Sequence, residues 1–560
     1  DDEYVENGPR VSDQIHMQQA EAFATEAAPD FITVKKIYIG TYATTFDAQT
    51  GGRRKPGATA ALLNEINRGA LIVSYIGHGN AHVWAHESVL LDTRDNQLID
   101  SGDRTPFYLA ATCSWGHFDR PLNEAHPEQL LVKPGGAIGV VAASRLTNAY
   151  SNNRFALAFY ERVFDREAGL SAGEALQLAM IDNPDGTNKY YHFFGDPNMK
   201  LALPSLDVAL TSVDPDSLTA LGTARISGEV RDADGVELPD FDGEAVVTVY
   251  DSADTLTYTF KGPDGQPHSS MDYQVSGGTL FRGLVSTTAG ELNAEFIVPR
   301  DVKYGSQNGS VHMYAFNDET DGVGATSGLK ISTQSASSTD HTPPEITVYF
   351  DHPNWREGDL TTSSPTLFIE LDDSSGINLT GEIGHDIRAV IDGDKEIVLT
   401  EAFVYDRDSY VKGSAEERLF ELEPGLHQLE IWAWDNANNF ARTETSFMVV
   451  DASQEITLNN VLNWPNPFED RTSFTFELST DAEVTIKIFT ASGRKIRKIG
   501  PLQGRAGFNY PSDAATNSLE WDGLDDYGDP IANGAYLYVI KATSLSGQSD
   551  EAVGKLLRIR

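Results

Sequence analysis

A histidine and a cysteine stand at the ends of two successive apolar segments of this sequence. His78 follows "ALIVSYIG" within the triplet Gly77-His78-Gly79, and Cys113 follows "FYLAAT". Cys113 is the only cysteine among 560 residues. A thiol attacks a carbonyl carbon once an adjacent imidazole, or another positive potential, gives it thiolate character. The two residue types therefore predict a nucleophile, Cys113, and a general base, His78.

The same two positions offer donors for the negative charge that develops on a carbonyl oxygen during such an attack. The backbone N–H groups of Gly79 and Cys113 are the candidates, since glycine permits a close backbone approach. His117, four residues after the cysteine, is a weaker candidate base because the turn after the strand is expected to point it away. The alternative is that Cys113 is an inert buried thiol that packs as a small hydrophobic residue.

Other residues near this pair admit more than one interpretation. His78, His82 and His86 recur every four positions in "GHGNAHVWAHE", which on a helix is a zinc-ligand spacing. The glycine and asparagine beside His78 favour a loop instead, so no metal site is expected in this stretch. Trp84 and Trp115 either line a substrate cleft or pack in the core.

Acidic residues cluster in predicted loops farther along the chain. Asp372-Asp373, and Asp435 with Asn436, offer the hard oxygen ligands that calcium prefers. Neither stretch has a complete calcium-loop motif, and turn formation explains the same residues equally well. We expect that the protein requires no cofactor. Calcium is the ion that these acidic residues could bind in a structural role.

The segments around His78 and Cys113 alternate between strands and helices. Strands are predicted over 34–39, 70–77, 107–112 and 136–144, and helices over 59–67, 154–164 and 172–180. This alternation indicates an α/β domain with a mainly parallel sheet over residues 1–204. Sites in such folds lie at the carboxyl ends of the strands, which is where His78 and Cys113 are expected.

The chain changes character after "FFGDPNMKLALP", which ends at Pro204. Helical periodicity disappears, and short strands alternate with turns rich in glycine, aspartate and proline. A polar linker, "STQSASSTD", follows the first β-rich stretch. The predicted modules span 205–338, 342–452 and 455–560, each the size of an immunoglobulin-like β-sandwich. We therefore expect a multidomain chain in which one α/β domain precedes three β-sandwich modules.

Composition limits the classes of partner. The formal net charge of −41, from 83 acidic and 42 basic residues, disfavours non-specific binding to nucleic acid or anionic lipid. A single cysteine excludes an intramolecular disulfide. No run of about 18 apolar residues occurs, so no transmembrane helix is expected. The opening Asp1-Asp2-Glu3, without an initiator methionine or a signal peptide, predicts a fragment whose N-terminal part is missing.

Four motifs in the first 204 residues resemble the gingipain family of cysteine peptidases: "YIGHGN", "TPFYLAATCSWGHFD", "GGAIGVVAASR" and "FFGDPNMKLALP". The resemblance implies a caspase-like fold with His78 as general base and Cys113 as nucleophile. It also implies an acidic residue that orients the histidine, for which Asp2 fits best among the first three residues. The alternative is that this acidic start is a solvated charged run. The resemblance further implies that the first part of the caspase-like fold is absent.

The downstream modules narrow the resemblance to one branch of that family, the sortases of the type IX secretion system. It rests on "GEVRDADGVELPDFDGEAVVTVYD", "GINLTGEIGHDIRAVIDG" and "WAWDNANN". The last module is similar to the C-terminal sorting domains of type IX cargo, which share a β-sandwich with flagellar hook-capping proteins. That similarity rests on "WPNPFEDRTSFTFEL", "IFTASGRKIRKI" and "LEWDGLDDYGDPIANGAYLYVI".

These resemblances imply a cell-surface cysteine endopeptidase and transpeptidase on the outer face of the outer membrane. Its implied activity is to remove C-terminal sorting signals from secreted cargo and to attach the cargo to lipopolysaccharide. The implied partners are cargo proteins with sorting domains, an outer-membrane barrel protein and the lipopolysaccharide acceptor, with no nucleic acid among them. Two alternatives stay open: a gingipain-like secreted protease with its own sorting domain, and a non-catalytic surface adhesin or scaffold.

Overall fold

The computed structural model describes residues 14–46, 52–120, 123–184, 186–261, 266–303, 308–449, 456–480, 482–509, 519–544 and 548–559. The chain divides into two compact units. Unit 1 comprises Asp1–Ser338 with Asp406–Tyr410, and unit 2 comprises Thr339–Tyr405 with Val411–Arg560. The division at 338 falls within the predicted polar linker, while the finer domain boundaries at 204 and 452 stay predictions.

The first part of unit 1 alternates strands with helices. Its strands are β1 (Thr45–Phe46), β2 (Arg53–Arg54), β3 (Ile72–Ile76), β4 (Gly79–Asn80), β5 (Val83–Trp84), β6 (Leu90–Leu91), β7 (Phe107–Ala111), β8 (Gly139–Ala143) and β9 (Tyr191–Gly195). Its helices are α1 (Ile15–Ala22), α2 (Pro56–Arg68), α3 (Asp92–Asp95), α4 (His126–Val132), α5 (Ala149–Val163) and α6 (Ala172–Asp182). Shorter π or 3₁₀ turns lie at Phe23–Ala27, Ile39–Thr41, Asn96–Leu98 and Asn188–Tyr190.

The central sheet of this part has the strand order β3-β7-β8-β9. β3, β7 and β8 run parallel, and β9 is antiparallel to β8. Every residue of β7 and β8 is buried, which is why both appear in the sequence as unbroken apolar runs. Phe155 and Phe159 of α5 and Ala175 and Ala179 of α6 pack into the core over these strands. The predicted α/β region with a mainly parallel sheet is confirmed.

Residues 34–39 differ from the prediction. Their pattern predicts a strand, but in the described structure this segment pairs with no strand and ends in the 3₁₀ turn Ile39–Thr41. Its side chains bind to α1 instead. Lys36 Nζ lies 2.8 Å from both carboxylate oxygens of Glu21, and the Tyr38 hydroxyl donates to Glu21 Oε2 at 2.6 Å. Contacts with a helix thus replace a β ladder in this segment.

The second part of unit 1 is all β. Its strands are β10 (Leu206–Asp214), β11 (Ser217–Ala220), β12 (Thr223–Arg231), β13 (Gly243–Tyr250), β14 (Asp254–Lys261), β15 (Pro267–Val275), β16 (Thr279–Thr288), β17 (Glu291–Ile297), β18 (Gly309–Phe316) and β19 (Asp321–Ser335). One sheet has the order β16-β13-β18-β19 and another the order β10-β12-β17, with short pairings joining their edges. Phe281 of β16 stacks on Phe296 of β17, with ring centroids 5.0 Å apart.

The β14–β15 hairpin of this second part packs on α1. Phe260 and Tyr273 of the hairpin share a small buried cluster with Met17 of α1. A polar contact supports it, because Glu21 Oε1 accepts a hydrogen bond from Gln274 N at 3.1 Å. Both parts of unit 1 are therefore joined by apolar and polar contacts at α1.

Unit 2 begins with a further β region. Its strands are β20 (Glu345–Phe350), β21 (Leu360–Thr361), β22 (Thr366–Asp372), β23 (Arg388–Ile391), β24 (Lys395–Val398), β25 (Val404–Tyr405), β26 (Lys412–Arg418), β27 (Gly425–Trp434) and β28 (Phe440–Val449), with a 3₁₀ turn at Glu382–Gly384. They form two sheets, β20-β22-β26-β25 and β21-β28-β27-β23-β24. Phe350 and Phe447 lie 4.6 Å apart, ring centroid to ring centroid, in the core of this region.

The last region of unit 2 also has two sheets. Its strands are β29 (Leu458–Trp464), β30 (Thr472–Leu478), β31 (Ala482–Thr490), β32 (Lys495–Gly504), β33 (Gly507–Asn509), β34 (Glu520–Trp521), β35 (Gly534–Ser544) and β36 (Ser549–Arg558). One sheet has the order β29-β30-β33, with β34 also paired to β30, and the other has the order β32-β31-β35-β36. Among the described residues, no helix has the length and apolar character to cross a membrane. The protein is thus multidomain and predominantly β outside its first part.

Candidate active site

β3 and β7 bring His78 and Cys113 to one edge of the sheet. The parallel register pairs Ile76 with Ala111, the last residues of the two strands. His78 and Cys113 each follow two positions later, so they leave the sheet side by side. Neighbouring strands lie about 5 Å apart. The structure therefore places the predicted base beside the predicted nucleophile, and their catalytic roles stay predictions.

Backbone and ring contacts fix the position of His78. Its carbonyl oxygen accepts hydrogen bonds from Ala85 N at 2.9 Å and from the Tyr75 hydroxyl at 2.7 Å. Its ring contacts the imidazoles of His16 and His86, with both centroid distances 5.1 Å. Burial is the main cause that lowers the pKa of His16 to about 3, and His78 adds to the effect. His16 is therefore a neutral neighbour of His78 near pH 7.

Gly79 occupies a space that a side chain does not fit. A Cβ atom here would lie 2.8 Å from Thr112 Oγ1 and 3.0 Å from Val83 O. The backbone of Gly79 therefore packs directly on the residue before Cys113, as an oxyanion donor at this position requires. Beyond the cysteine, Ser114 has a φ of +53°, and its N–H donates to Arg145 O at 3.1 Å. This left-handed residue turns the chain immediately after Cys113.

The thiol of Cys113 is partly buried and faces Thr147. Its Sγ lies 3.7 Å from Thr147 O and 3.9 Å from Thr147 Oγ1. Within the described part of the chain, these are the hydrogen-bonding contacts of the sulfur, and the His78 ring is not among them. In this structure the thiol therefore faces Thr147 and makes no hydrogen bond to the His78 imidazole.

His117 belongs to a separate charged cluster. His117 Nε2 lies 3.3 Å from Asp119 Oδ1, and Arg145 Nη1 donates to the same oxygen at 3.0 Å. The pKa of His117 is lowered, first by burial and then by the charges of Arg120 and Arg145. The structure thus ties His117 to Asp119, in agreement with its expected orientation away from the thiol.

The histidine-rich stretch after His78 forms a hairpin. β4 pairs with β5 over residues 79–84, which agrees with the expectation that this stretch is not a helix. His82 Nδ1 lies 2.6 Å from Asp92 Oδ2, so this ring turns to another partner. Trp84 and Trp115 are buried with ring centroids 4.8 Å apart, and Trp84 stacks on Tyr75 at 4.4 Å. The two tryptophans are core residues that support the ends of β3 and β7.

Asp2, the predicted orienting carboxylate, lies outside the described residues. Sequence reasoning also missed His16, Thr147 and Asn152, which the fold brings to this site. One signal for Thr147 was present, because the next residue, Asn148, is a preferred helix-capping type and does cap α5. That signal marks a helix start without indicating which thiol the helix start faces.

The predicted calcium ligands lie in unit 2. Ligand oxygens of Asp340, Asp373 and Asp435 all lie within 4.8 Å of one another. Asp372, by contrast, is exposed. The side chain of Asn436 donates through Nδ2 to Ser375 O at 2.9 Å. Burial raises the pKa of Asp373 to about 6, and the charges of Asp435 and Asp340 add to the shift. The structure thus joins two of the predicted acids and adds Asp340 from the polar linker, which sequence distance concealed.

A comparison with known protein families finds one match in the part of the chain that holds the candidate site. Residues 1–202 match the family model described as Peptidase family C25. The first part of this chain resembles a C25 cysteine peptidase. The matched region includes both His78 and Cys113. No curated protein matches the chain.

Solved structures with similarity to the chain include dimeric latent PorU from Porphyromonas gingivalis. It is 25% identical, the match covers 71% of this chain and 39% of the PorU chain, and the TM-score is 0.28. A protease structure is 15% identical over 47% of this chain and 55% of its own, with a TM-score of 0.23. A bacterial ice-binding adhesin is 12% identical over 63% and 97%, with a TM-score of 0.14. TM-scores this low do not establish a common fold, so the C25 match and the site carry the interpretation.

Proposed function

We propose that this protein is a cysteine endopeptidase with Cys113 as nucleophile and His78 as general base. The register of β3 and β7 carries the proposal, because it brings an imidazole and the only cysteine of the chain to one sheet edge. The C25 match over residues 1–202 supports the same chemistry. A caspase-like arrangement of this region, immunoglobulin-like modules after it and an orienting role for Asp2 belong to the proposal.

The proposed reaction begins when the Cys113 thiol turns from Thr147 to His78. Sγ attacks the carbonyl carbon of the scissile peptide bond, and the thiol proton passes to the His78 imidazole. The backbone N–H groups of Gly79 and Cys113 donate to the oxyanion. The C–N bond then breaks, and His78 protonates the leaving amine.

The acyl group remains on Cys113 as a thioester. An amine or a water molecule attacks this thioester and gives up a proton to His78, after which the C–S bond breaks and His78 returns the proton to Sγ. Attack by water gives hydrolysis, whereas attack by an amine gives transpeptidation. The same two side chains therefore serve both outcomes, and access of the acceptor decides between them.

We extend the proposal to substrate and location through the motifs of the later modules. The substrate is secreted cargo with a C-terminal sorting signal, and the acceptor is an amine of lipopolysaccharide. The protein acts at the cell surface, associated with the outer membrane through a barrel partner that binds its last module. The similarity of "WPNPFEDRTSFTFEL" and the other late motifs to sorting domains supports this extension.

The test follows cargo that bears a sorting domain in cells that lack the native copy. Wild type is compared with Cys113→Ala, and the mass of the released cargo is measured. We expect wild type to release the sorting domain and to leave an amine adduct on the cargo, and Cys113→Ala to leave the domain attached. Digestion of unrelated proteins would favour the secreted-protease alternative. Equal release by both variants would favour the scaffold alternative.

We also propose that Asp340, Asp373 and Asp435 hold a structural calcium ion. Asp373 is 5% and Asp435 0% exposed, and burying carboxylates this close together is costly without a cation. Oxygen ligands of this kind suit calcium. The ion has no role in the chemistry of Cys113, and its effect is expected on the stability of unit 2.

A further inference from the structure

Asn152 joins the two segments that surround the Cys113 thiol. Its Nδ2 donates to Ala111 O, at the end of β7, at 3.2 Å and to Thr147 Oγ1 at 3.0 Å. Ala111 lies two positions before Cys113, and Thr147 contacts the sulfur through both its carbonyl oxygen and Oγ1. One buried amide therefore holds both the strand that carries the thiol and the loop that the thiol faces.

We propose that Asn152 is a positioning residue for Cys113. It holds Thr147 against the end of β7 and so fixes the place from which the thiol turns to His78. Asn152 makes no hydrogen bond to the sulfur, and it acts through Thr147 and the backbone of Ala111. This inference rests on the proposed role of Cys113 as nucleophile.

The side-chain amide of Asn152 is buried with one of its polar atoms unpaired. Asn152 is 3% exposed, and its Oδ1 has no hydrogen-bond partner among the described residues. An unsatisfied buried acceptor lowers the stability of the folded protein. An apolar side chain at this position of α5 would avoid that cost. The contacts that the amide does make are both donations toward the segments around Cys113, so positioning of these segments is the gain that the structure shows.

α5 gives Asn152 a rigid base. The helix begins after Asn148, whose side chain accepts hydrogen bonds from Tyr150 N at 3.0 Å and Ser151 N at 3.4 Å. Asn152 N donates to Asn148 O at 2.8 Å, so Asn152 lies in the first turn of a capped helix. The cap, the amide and Thr147 therefore move as one assembly, and loosening the amide frees Thr147 from β7.

The expected effect falls on the chemical step. A misplaced nucleophile reduces turnover by up to about a hundredfold when the shift is about 1 Å. Because Asn152 is buried and its side-chain donors bind Thr147 and Ala111, we expect KM to stay the same while kcat falls. The thiol should also react more slowly with iodoacetamide, because a displaced sulfur is less often beside the His78 imidazole.

Asn152→Ala is the test variant, and Ser151→Ala is its matched control. Ser151 is the preceding residue of α5 and is 4% exposed, and its hydroxyl donates to Asn188 Oδ1 at 2.9 Å and accepts from Thr187 Oγ1 at 3.0 Å. For Asn152→Ala we expect kcat to fall by about ten- to a hundredfold at constant KM, and alkylation to slow by about threefold or more. Ser151→Ala should keep the wild-type kcat and the wild-type alkylation rate, even where its Tm falls as much as that of Asn152→Ala.

Asn152→Leu serves as a second variant, because it keeps the number and branching of the side-chain heavy atoms and removes both donors. Unchanged kcat and unchanged alkylation in a folded Asn152→Leu protein would overturn the inference. The inference would also be overturned if Ser151→Ala lost as much kcat and alkylation rate as Asn152→Ala while the two variants had the same Tm. The alkylation rate needs no substrate, so an inactive wild type would refute the proposed function while the comparison of variants still decides the role of Asn152.

Discussion

The Cys113 thiol has one observed partner, Thr147, and one proposed partner, His78. In this structure Sγ contacts Thr147, whereas attack on a peptide bond requires it to face His78. His16, neutral because it is buried, is in ring contact with His78 and adds no competing positive charge. The proposed transfer of the thiol proton to His78 therefore starts from a thiol that faces Thr147.

Gly79→Ala tests the oxyanion donor at this scale. The added Cβ would lie 2.8 Å from Thr112 Oγ1 and would push the N–H of residue 79 away from Cys113. Loss of one oxyanion donor costs about 10²–10³ in kcat, so we expect a fall of about a hundredfold with the protein still folded. Gly186→Ala is the control, because nothing lies within 4 Å of its Cβ. Full activity in Gly79→Ala would rule this donor out.

His78 and Cys113 were predictable from the sequence because each ends an apolar run. Thr147, Asn152 and His16 were not, since each comes from a segment remote in sequence whose own pattern is that of an ordinary helix or loop. The orienting carboxylate stays a prediction on Asp2. Residue types and apolar runs thus located two candidate groups at one sheet edge, while the residues that surround them depend on tertiary contacts.

Elements position the site through register and packing. The pairing of Ile76 with Ala111 aligns the ends of β3 and β7, and the β14–β15 hairpin packs on α1, which carries His16. Buried strands such as β7 and β8 were predictable from unbroken apolar runs. The segment 34–39 was not, because its alternating pattern serves contacts with Glu21 and the core rather than a sheet.

Tyr273→Ala tests the coupling of the hairpin to the site. Tyr273 is buried against Met17 of α1, and truncating a large buried side chain costs about 3–5 kcal/mol of packing. We expect α1 to loosen, His16 to move from the His78 ring, and kcat/KM to fall by about tenfold.

Thr259→Ala, an exposed position on the same hairpin, is the control and should leave kcat/KM unchanged. Peptidase assays and near-UV circular dichroism distinguish local loosening from loss of the fold. Equal kcat/KM in Tyr273→Ala and wild type would show that the second part of unit 1 does not support catalysis.

At the scale of the whole molecule, unit 1 holds the candidate active site and unit 2 holds a buried carboxyl, Asp373, whose shifted pKa makes the stability of unit 2 depend on pH. Burial raises the pKa of Asp373 in folded unit 2 from 3.8 to about 6, so the folded state holds a proton more tightly than the unfolded state. The stability that this proton contributes is fully present below about pH 4 and is lost as the pH rises through about 6. A bound cation favours the charged carboxylates and opposes that loss.

We therefore expect calcium to raise the Tm of the unit 2 transition more at about pH 7 than at about pH 4.5, relative to chelator. Asp373→Asn should reduce both the calcium effect and the fall in Tm between these pH values. Asp372→Asn, at the exposed neighbouring position, should behave as wild type. Differential scanning calorimetry of the full chain measures all three. An equal rise in Tm with calcium in Asp373→Asn and wild type would show that Asp373 is not a calcium ligand.

The most direct test of the central claim is covalent capture of Cys113 by an electrophilic peptide ketone, followed by intact mass spectrometry. Wild type, Cys113→Ala and His78→Ala are compared under the same conditions. We predict one adduct on wild type, located at Cys113, none on Cys113→Ala, and a rate about a hundredfold lower in His78→Ala. Reaction of His78→Ala at the wild-type rate would contradict the account, because the thiol would then react without the imidazole that the fold places beside it.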